Sequence, residues 1–233
     1  MVAGDTGGRV HFLRLEMDAS LASLAAESEN PLSLLSEGLS LVRQGREAAA
    51  MSCWQKAVKL RPDAASMIWG NWEKALSQQG EALWNAENYE GAVRCFQLLV
   101  KLQPDNAEYW HWLAISQQRS GDAEAALSSY ESALNLQPDN ANIWENRGYA
   151  LFTLGRYNEA ITSYQKALEL DSSSANAYYN IACIYGLQED VDLAIQNLQQ
   201  AIKLDSEYRE MAKTDSDFDS IRGDSRFQAL LEE

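Results

Sequence analysis

Apolar residues recur every three to four positions through most of the chain, with polar residues between them. From Trp110 to Gln117, and again from Ala126 to Leu134, this spacing is that of one face of a helix. The helical runs come in pairs, and three of the pairs are joined by a short turn that contains Gly45, Gly121 or Gly155. Glycine adopts the left-handed backbone that ends a helix without a steric cost. The pattern therefore predicts an all-α chain of helix hairpins.

The hairpins repeat with a period of 34 residues. The sequence QPDNA occurs at Gln103–Ala107 and again, 34 residues later, at Gln137–Ala141, and a shorter relative, RPDAA, begins at Arg61. Proline disfavours helical geometry in the residue before it and has no backbone donor, so Pro104 and Pro138 are expected to end helices. The candidates for capping the next helix are Asp105 or Asn106 at the first joint and Asp139 or Asn140 at the second. A fixed period of this length is typical of stacked helical arrays.

Alignment at this period divides residues 31–208 into five repeats. Eight additional residues, 65–72, separate the first two repeats and are expected to lengthen the first helix of the second repeat by about two turns. Such an extension would expose Trp69 and Trp72 unless another segment covers them. The repeats are assigned to residues 31–64, 73–106, 107–140, 141–174 and 175–208.

Both ends of the chain depart from the repeat. Residues 1–30 are expected to contain a loose start and an amphipathic helix over residues 10–27, which either docks on the array or occupies a binding surface until a partner displaces it. Residues 209–233 are expected to form a C-terminal cap, because the last repeat cannot leave its apolar face in water. The side chains expected to cover that face, with the acidic residues turned to water, are Met211, Phe218, Ile221, Phe227, Leu230 and Leu231.

The order of large and small residues within each repeat resembles the tetratricopeptide repeat family. In the fourth repeat the matching positions are Trp144, Gly148, Leu151, Gly155, Ala160, Tyr164 and Ala167. The resemblance covers residues 31–208 and implies a right-handed solenoid of helix hairpins. The amino-acid sequences of the repeats are similar to those of bacterial, and especially cyanobacterial, arrays. In this family the first helices of successive repeats line a concave groove that holds part of another protein.

Charge and composition narrow the classes of partner. The 233 residues include 34 acidic and 19 basic side chains, for a net charge of −15. This charge disfavours non-specific attraction to nucleic acid or to an anionic membrane, and it favours neutral or basic partners. No run of about 18 apolar residues is present to span a membrane. Because the three cysteines form no CxxC pair and the N-terminus has no apolar signal segment, we expect a cytoplasmic protein. The net negative charge keeps copies of the chain apart, so we expect a monomer when the protein is alone.

Catalytic and metal-binding motifs are absent from the sequence. Its two histidines, His11 and His111, are a hundred residues apart, and no glycine-rich phosphate loop is present. The acidic run from Asp215 to Asp219 lacks the glycine and the glutamate of an EF-hand, since Ser220 and Arg226 stand at those positions. We therefore expect no enzymatic activity, no cofactor and no metal.

The candidate binding residues follow from the groove positions that the resemblance implies. Asn146 and Asn180 occupy equivalent positions one repeat apart, and each has another asparagine four residues earlier. An amide is both a donor and an acceptor, so such a ladder can satisfy the backbone of an extended peptide. Aromatic residues beside the ladder are candidate pockets for apolar side chains. The complete set is Asn142, Asn146, Asn176, Asn180, Tyr149, Tyr179, Trp112, Trp84, His111, Glu145 and Arg119.

Two functions are compatible with these observations. The first is a non-enzymatic protein–protein interaction module, an adaptor or scaffold that binds a short extended peptide or a helix in its concave groove. The alternative is a structural subunit or assembly factor of a multiprotein complex, which would use the Trp69/Trp72 extension or the convex face. Recognition of acidic chaperone tails is disfavoured, because Lys74 alone supplies a basic side chain at the groove positions that such tails require.

Overall fold

The computed structural model describes residues 31–232, and this part of the chain is all-α. Its regular elements are helices and two short 3₁₀ turns, at Pro62–Ala64 and Ser216–Phe218. The helix expected over residues 10–27 lies outside the described residues. The helices are α1 (Pro31–Arg43), α2 (Glu47–Leu60), α3 (Ala65–Asn85), α4 (Tyr89–Leu102), α5 (Ala107–Arg119), α6 (Ala123–Leu136), α7 (Ala141–Thr153), α8 (Tyr157–Leu170), α9 (Ala175–Leu187), α10 (Val191–Leu204), α11 (Glu207–Thr214) and α12 (Ser225–Glu232).

The chain divides within α3 into two compact units, one ending at Gln78 and the other beginning at Gln79. In the first unit α1 packs on α2, and in the second α5 packs on α6, α7 on α8 and α9 on α10. The assignment of five repeats with an insertion at 65–72 remains a proposal. It is supported by the length of α3, which has 21 residues, whereas α5, α7 and α9 have 13 each.

The sequence predicts that Trp69 and Trp72 are exposed unless another segment covers them, and in the first unit Trp72 is covered. Trp72 is fully buried and lies edge-on against Trp54 of α2, while Trp69 is half-buried and packs on Trp72. The first turns of α3 therefore place these indole rings beside α2 rather than in solvent. An exposed tryptophan pair is not available as an interface.

Left-handed residues form the turns of the hairpins, as predicted. Gly45, Gly121 and Gly155 have φ angles of 71°, 94° and 72°. In the other two turns Glu87 and Glu189 adopt the same conformation, with φ angles of 58° and 61°. A residue with a side chain pays a cost of about 1–2 kcal/mol for this conformation. The hairpin packing of these repeats is therefore sufficient to impose the turn without glycine.

Asparagine, not aspartate, caps the helix after each QPDN joint. The Asn106 side-chain oxygen accepts hydrogen bonds from the backbone N–H groups of Glu108 and Tyr109, and the Asn140 oxygen accepts one from Ile143. Each cap thus satisfies backbone donors that the first turn of a helix would leave free.

A second contact at these joints involves the tryptophan that follows each of them. The indole Nε1 of Trp110 donates to the carbonyl oxygen of Pro104 at 2.8 Å, and that of Trp144 donates to Pro138 at 2.8 Å. The proline therefore ends one helix and also accepts a bond from the next one. At the joint before the fifth repeat a serine stands in place of the proline, and Tyr178 stands in place of the tryptophan. Both members of the pair therefore change together.

Two equivalent buried tyrosines of the second unit differ in their hydrogen bonding. Tyr130 on α6 donates a hydrogen bond from its hydroxyl to the Gln118 side chain at 2.7 Å. The hydroxyl of Tyr164 on α8 is buried and has no partner among residues 31–232. The residue 34 positions after Gln118 is Phe152, which has no acceptor. A buried polar group without a partner is destabilising, because it has lost its bonds to water.

We expect Tyr164→Phe to raise the free energy of unfolding by about 1 kcal/mol, because it removes an unsatisfied hydroxyl and no packed carbon atom. The matched variant Tyr130→Phe is expected to lower it by about 0.5–1.5 kcal/mol, since it breaks a hydrogen bond. Urea denaturation followed by circular dichroism measures both changes. A shift of the same sign in the two variants would contradict this account of the hydroxyl groups.

The C-terminal segment packs against α9 and α10. Phe218, Ile221, Phe227 and Leu230 are buried there as predicted. Met211 is 50% exposed, so its predicted place in this core is wrong. Because α11 begins at residue 207, the residue after Met211, an alanine, faces the core, and the methionine faces solvent.

Arg222 holds the end of α11 in place. Its guanidinium group donates to the carbonyl oxygens of Ala212, Lys213 and Asp215 and to the carboxylate of Asp219. The last carbonyl groups of a helix have no partner within the helix, and a cation there also interacts favourably with the helix dipole. This one side chain therefore fixes the turn that brings Asp215 to α9.

Candidate functional site

The helices α5, α7 and α9 lie side by side in the second unit and are linked by side-chain hydrogen bonds. Asn146 of α7 bonds to His111 of α5 at 2.9 Å, and Asn176 of α9 bonds to Glu145 of α7 at 2.6 Å. We call this surface the amide face and define it by Asn142, Asn146, Tyr149, Asn176 and Asn180. Four of the predicted asparagines are thus on adjacent helices of one unit.

The bond between His111 and Asn146 orients the Asn146 amide. Its Nδ2 donates to Nε2 of His111, which requires the imidazole to be neutral with its proton on Nδ1. Burial lowers the pKa of His111, so the neutral ring is favoured at pH 7. The amide oxygen and one N–H of Asn146 are left for another partner.

Glu145 connects α7 to the first turn of α9. Its carboxylate accepts hydrogen bonds from the hydroxyl of Ser174 at 2.5 Å and from the amide of Asn176 at 2.6 Å. Ser174 is the N-cap of α9, and its oxygen also accepts from the backbone N–H of Ala177. The N-terminus of a helix favours a negative charge, so the carboxylate is held at a stabilising position. One turn later Asn180 donates to the Asn176 carbonyl and side chain.

Aromatic side chains lie on the amide face and on α3, α4 and α5 of the same unit. Tyr149 is 46% exposed and packs at one edge on half-buried Phe152, with ring centroids 6.4 Å apart. Trp112 is half-buried, stacks on Phe96 at 5.5 Å and meets Trp84 edge-on at 5.8 Å. Arg119 is exposed at the end of α5, and Asn142 is exposed at the start of α7.

Tyr179 does not belong to an open surface, which corrects its prediction as a binding residue. It is 4% exposed, and its hydroxyl donates to the Asp215 carboxylate at 2.7 Å. The rings of Tyr208 and Phe218 pack against it with centroids 4.8 and 5.8 Å away. The C-terminal segment covers this position of α9, so a partner cannot reach it while the segment is folded.

The same segment brings three potential ligand side chains together. Donor atoms of Cys183, Asp215 and Asp217 lie within 4.8 Å of one another, and the Cys183 thiol is 3.8 Å from the Asp215 carboxylate. Burial, together with the two carboxylates, raises the pKa of Cys183, and burial with the Asp215 charge raises that of Asp217. The thiol therefore stays protonated at neutral pH. These two aspartates do not face water freely, contrary to the expectation for the acidic run.

Comparison with known proteins identifies the family. Profiles described as TPR repeat match residues 119–155 and 148–189, and profiles described as tetratricopeptide repeat match residues 77–117 and 175–208. These matches together cover more than half of the chain. The chain belongs to the tetratricopeptide repeat family. Its repeats make it a helical protein–protein interaction module of that family's type.

The fold of this tetratricopeptide repeat chain is similar to that of solved structures. YrrB, described as a TPR protein with an unusual peptide-binding site, superposes with a TM-score of 0.60 at 20% identity over 84% of this chain and 98% of its own. MamA superposes with a TM-score of 0.56 at 19% identity over 76% of this chain and 96% of its own. None of the curated proteins matches the sequence. Among the helices between residues 31 and 232, none is long and apolar enough to cross a membrane.

Proposed function

We propose that the amide face binds a short extended segment of a partner protein. The observation that carries this proposal is the arrangement of Asn142, Asn146, Asn176 and Asn180 on two adjacent helices, beside the exposed ring of Tyr149. Peptide binding is also the property for which YrrB, a structure of the same fold, is described.

The donor and acceptor groups of the four asparagines favour a backbone ligand. The contacts with His111 and Glu145 fix two of the amides before any partner arrives, so less side-chain freedom is lost on binding. The Asn146 oxygen and the Asn180 oxygen are available to accept peptide N–H groups, and the exposed amide of Asn142 supplies donors. Tyr149, Trp84 and Trp112 supply apolar surface for side chains of the partner.

The test is capture of partners from a lysate of the source organism by the wild-type chain and by the double variant Asn146→Ala/Asn180→Ala. We expect the variant to retain about tenfold less partner, because two hydrogen bonds of about 0.5–1.5 kcal/mol each are lost. The matched control is Asn135→Ala/Asn158→Ala, which removes two exposed asparagines from α6 and α8. Thermal melts establish that all three proteins are folded. Equal retention by the wild type and the amide-face variant would refute the proposal.

The alternative, a structural subunit of a larger complex, has lost one of its two candidate interfaces. Trp72 is buried against Trp54, so the extension of α3 does not present an exposed tryptophan pair. No contact in the described residues favours the convex face over the amide face.

A further inference from the structure

We propose that the amide face selects partner segments with an arginine or lysine side chain, which binds between Glu145 and Tyr149. This inference rests on the proposed function and specifies the chemistry of its ligand. Three independent features of the second unit support it: the distribution of charge, the state of the Glu145 carboxylate and the exposure of the Tyr149 ring.

The charge of the second unit is strongly negative. Residues 79–232 contain 24 acidic and 11 basic side chains, a net charge of −13. On the helices of the amide face and their neighbour α5, the basic residues are Arg119, exposed at the far end of α5, and Arg147. The Arg147 guanidinium turns away from this face, because it donates to Ser163 of α8 and lies 3.6 Å from Glu131 of α6. A cationic segment therefore meets no opposing positive charge at the centre of the face.

Glu145 is a half-buried carboxylate that two hydrogen bonds hold in place, and among residues 31–232 it has no cationic partner. Its two oxygens accept bonds from Ser174 and Asn176, which hold the group in one orientation. No basic side chain between residues 31 and 232 lies within ion-pair distance of it. Each carboxylate oxygen has a second lone pair, so the group can accept further bonds from a guanidinium or an ammonium. Because it is already oriented, a cation would bind without ordering it first.

Tyr149 supplies the second wall of the subsite. It follows Glu145 by four residues on α7, and residues four apart lie on the same face of a helix. With 46% of its surface exposed, the ring can cover the alkyl stem of a long basic side chain or lie beneath its cation. A carboxylate and an aromatic ring one helix turn apart match the length of arginine and lysine better than that of a short polar residue.

The experiment selects binders from a displayed library of random short peptides on the full-length chain. We expect arginine or lysine to be enriched at one position with wild type, and the enrichment to vanish with Glu145→Gln. The matched control is Glu90→Gln, which removes the same charge from an exposed position of α4. A selected peptide is then synthesised with arginine and with the isosteric, uncharged citrulline. Wild type and Glu90→Gln should bind the arginine form about tenfold more tightly, and Glu145→Gln should bind both forms equally.

The outcomes separate this inference from the proposed function. If the selected peptides bind through the amide face, as judged by Asn146→Ala/Asn180→Ala, but show no preference for arginine or lysine, the cation subsite is refuted and the peptide site stands. The subsite is also refuted if Glu145→Gln discriminates between the two peptides as well as wild type does. If no peptide is selected, or if binding ignores both amide positions, the proposed function and this inference fail together.

Discussion

Replacing Phe218 with alanine is expected to lower the free energy of unfolding by about 3–5 kcal/mol, the usual cost of removing a fully buried phenylalanine ring. Phe218 is completely buried and contacts the rings of Tyr179 and Phe227 at centroid distances of 5.8 and 5.3 Å. It also lies against Gly186 of α9, where even a methyl group would approach its ring and the Asp217 carbonyl within 2.8 Å. The loss would therefore open a cavity between α9 and the C-terminal segment.

The control for Phe218→Ala is Met211→Ala in the same segment. Because Met211 is 50% exposed, its truncation is expected to change stability by no more than about 0.5 kcal/mol. Urea denaturation followed by circular dichroism gives both values, and hydrogen exchange at α9 reports whether the segment has detached. Similar small effects of the two substitutions would mean that the C-terminal segment does not cover α9 in solution.

Trp54→Ala is the second substitution with a large expected effect, again about 3–5 kcal/mol, and it acts on the first unit. The Trp54 indole is fully buried, packs against Trp72 and occupies the space above Gly38, where a β-carbon would overlap the ring. Its Nε1 has no hydrogen-bond partner in the described part of the chain, so the loss is one of packing. We therefore expect the loss of stability caused by Trp54→Ala to be the same at every pH.

The matched control for Trp54→Ala is Leu60→Ala on the same helix. Leu60 is 38% exposed, so its truncation is expected to cost well under the value for the tryptophan. Denaturation curves of the two variants, compared with that of Phe218→Ala, also test whether each unit unfolds by itself. In a repeat array each repeat contacts only its neighbours, so stability is a sum of local contributions. When a substitution destabilises one unit selectively, we therefore expect two separate unfolding transitions. If Trp54→Ala and Leu60→Ala had equal effects, the burial of the indole would be contradicted.

The parts of the fold that the sequence predicted correctly depend on interactions between residues that are close in sequence. The period-34 pattern placed the hairpins, and Gly45, Gly121 and Gly155 marked turns because the left-handed conformation is a property of a single residue. The cap at each joint was limited to two candidates, and the structure selected Asn106 and Asn140. These features depend on interactions within a few residues, which is why no tertiary information was needed for them.

The site predictions failed where contacts between residues far apart in the sequence determine whether a side chain is exposed. Tyr179 occupies a groove position by its spacing, yet Asp215, 36 residues later, accepts its hydroxyl proton in a hydrogen bond and the C-terminal segment covers it. The group formed with Cys183 and Asp217 likewise joins residues more than 30 positions apart. The sequence also contained no signal that Trp72 would pack on Trp54.

The sequence by itself determined the family, the all-α hairpin architecture and the four asparagines on two first helices, because helical periodicity and the repeat period are local patterns that survive without a structure. Only the tertiary structure decided which of the candidate side chains share a surface and in what state. It showed that His111 orients Asn146 and that Tyr149 is exposed whereas Tyr179 is covered. It also showed that Glu145 has its oxygens fixed and that no basic side chain of residues 31–232 pairs with it. Exposure and hydrogen-bond partners depend on packing between elements that are far apart in the chain, and a linear pattern of residues does not encode that packing directly.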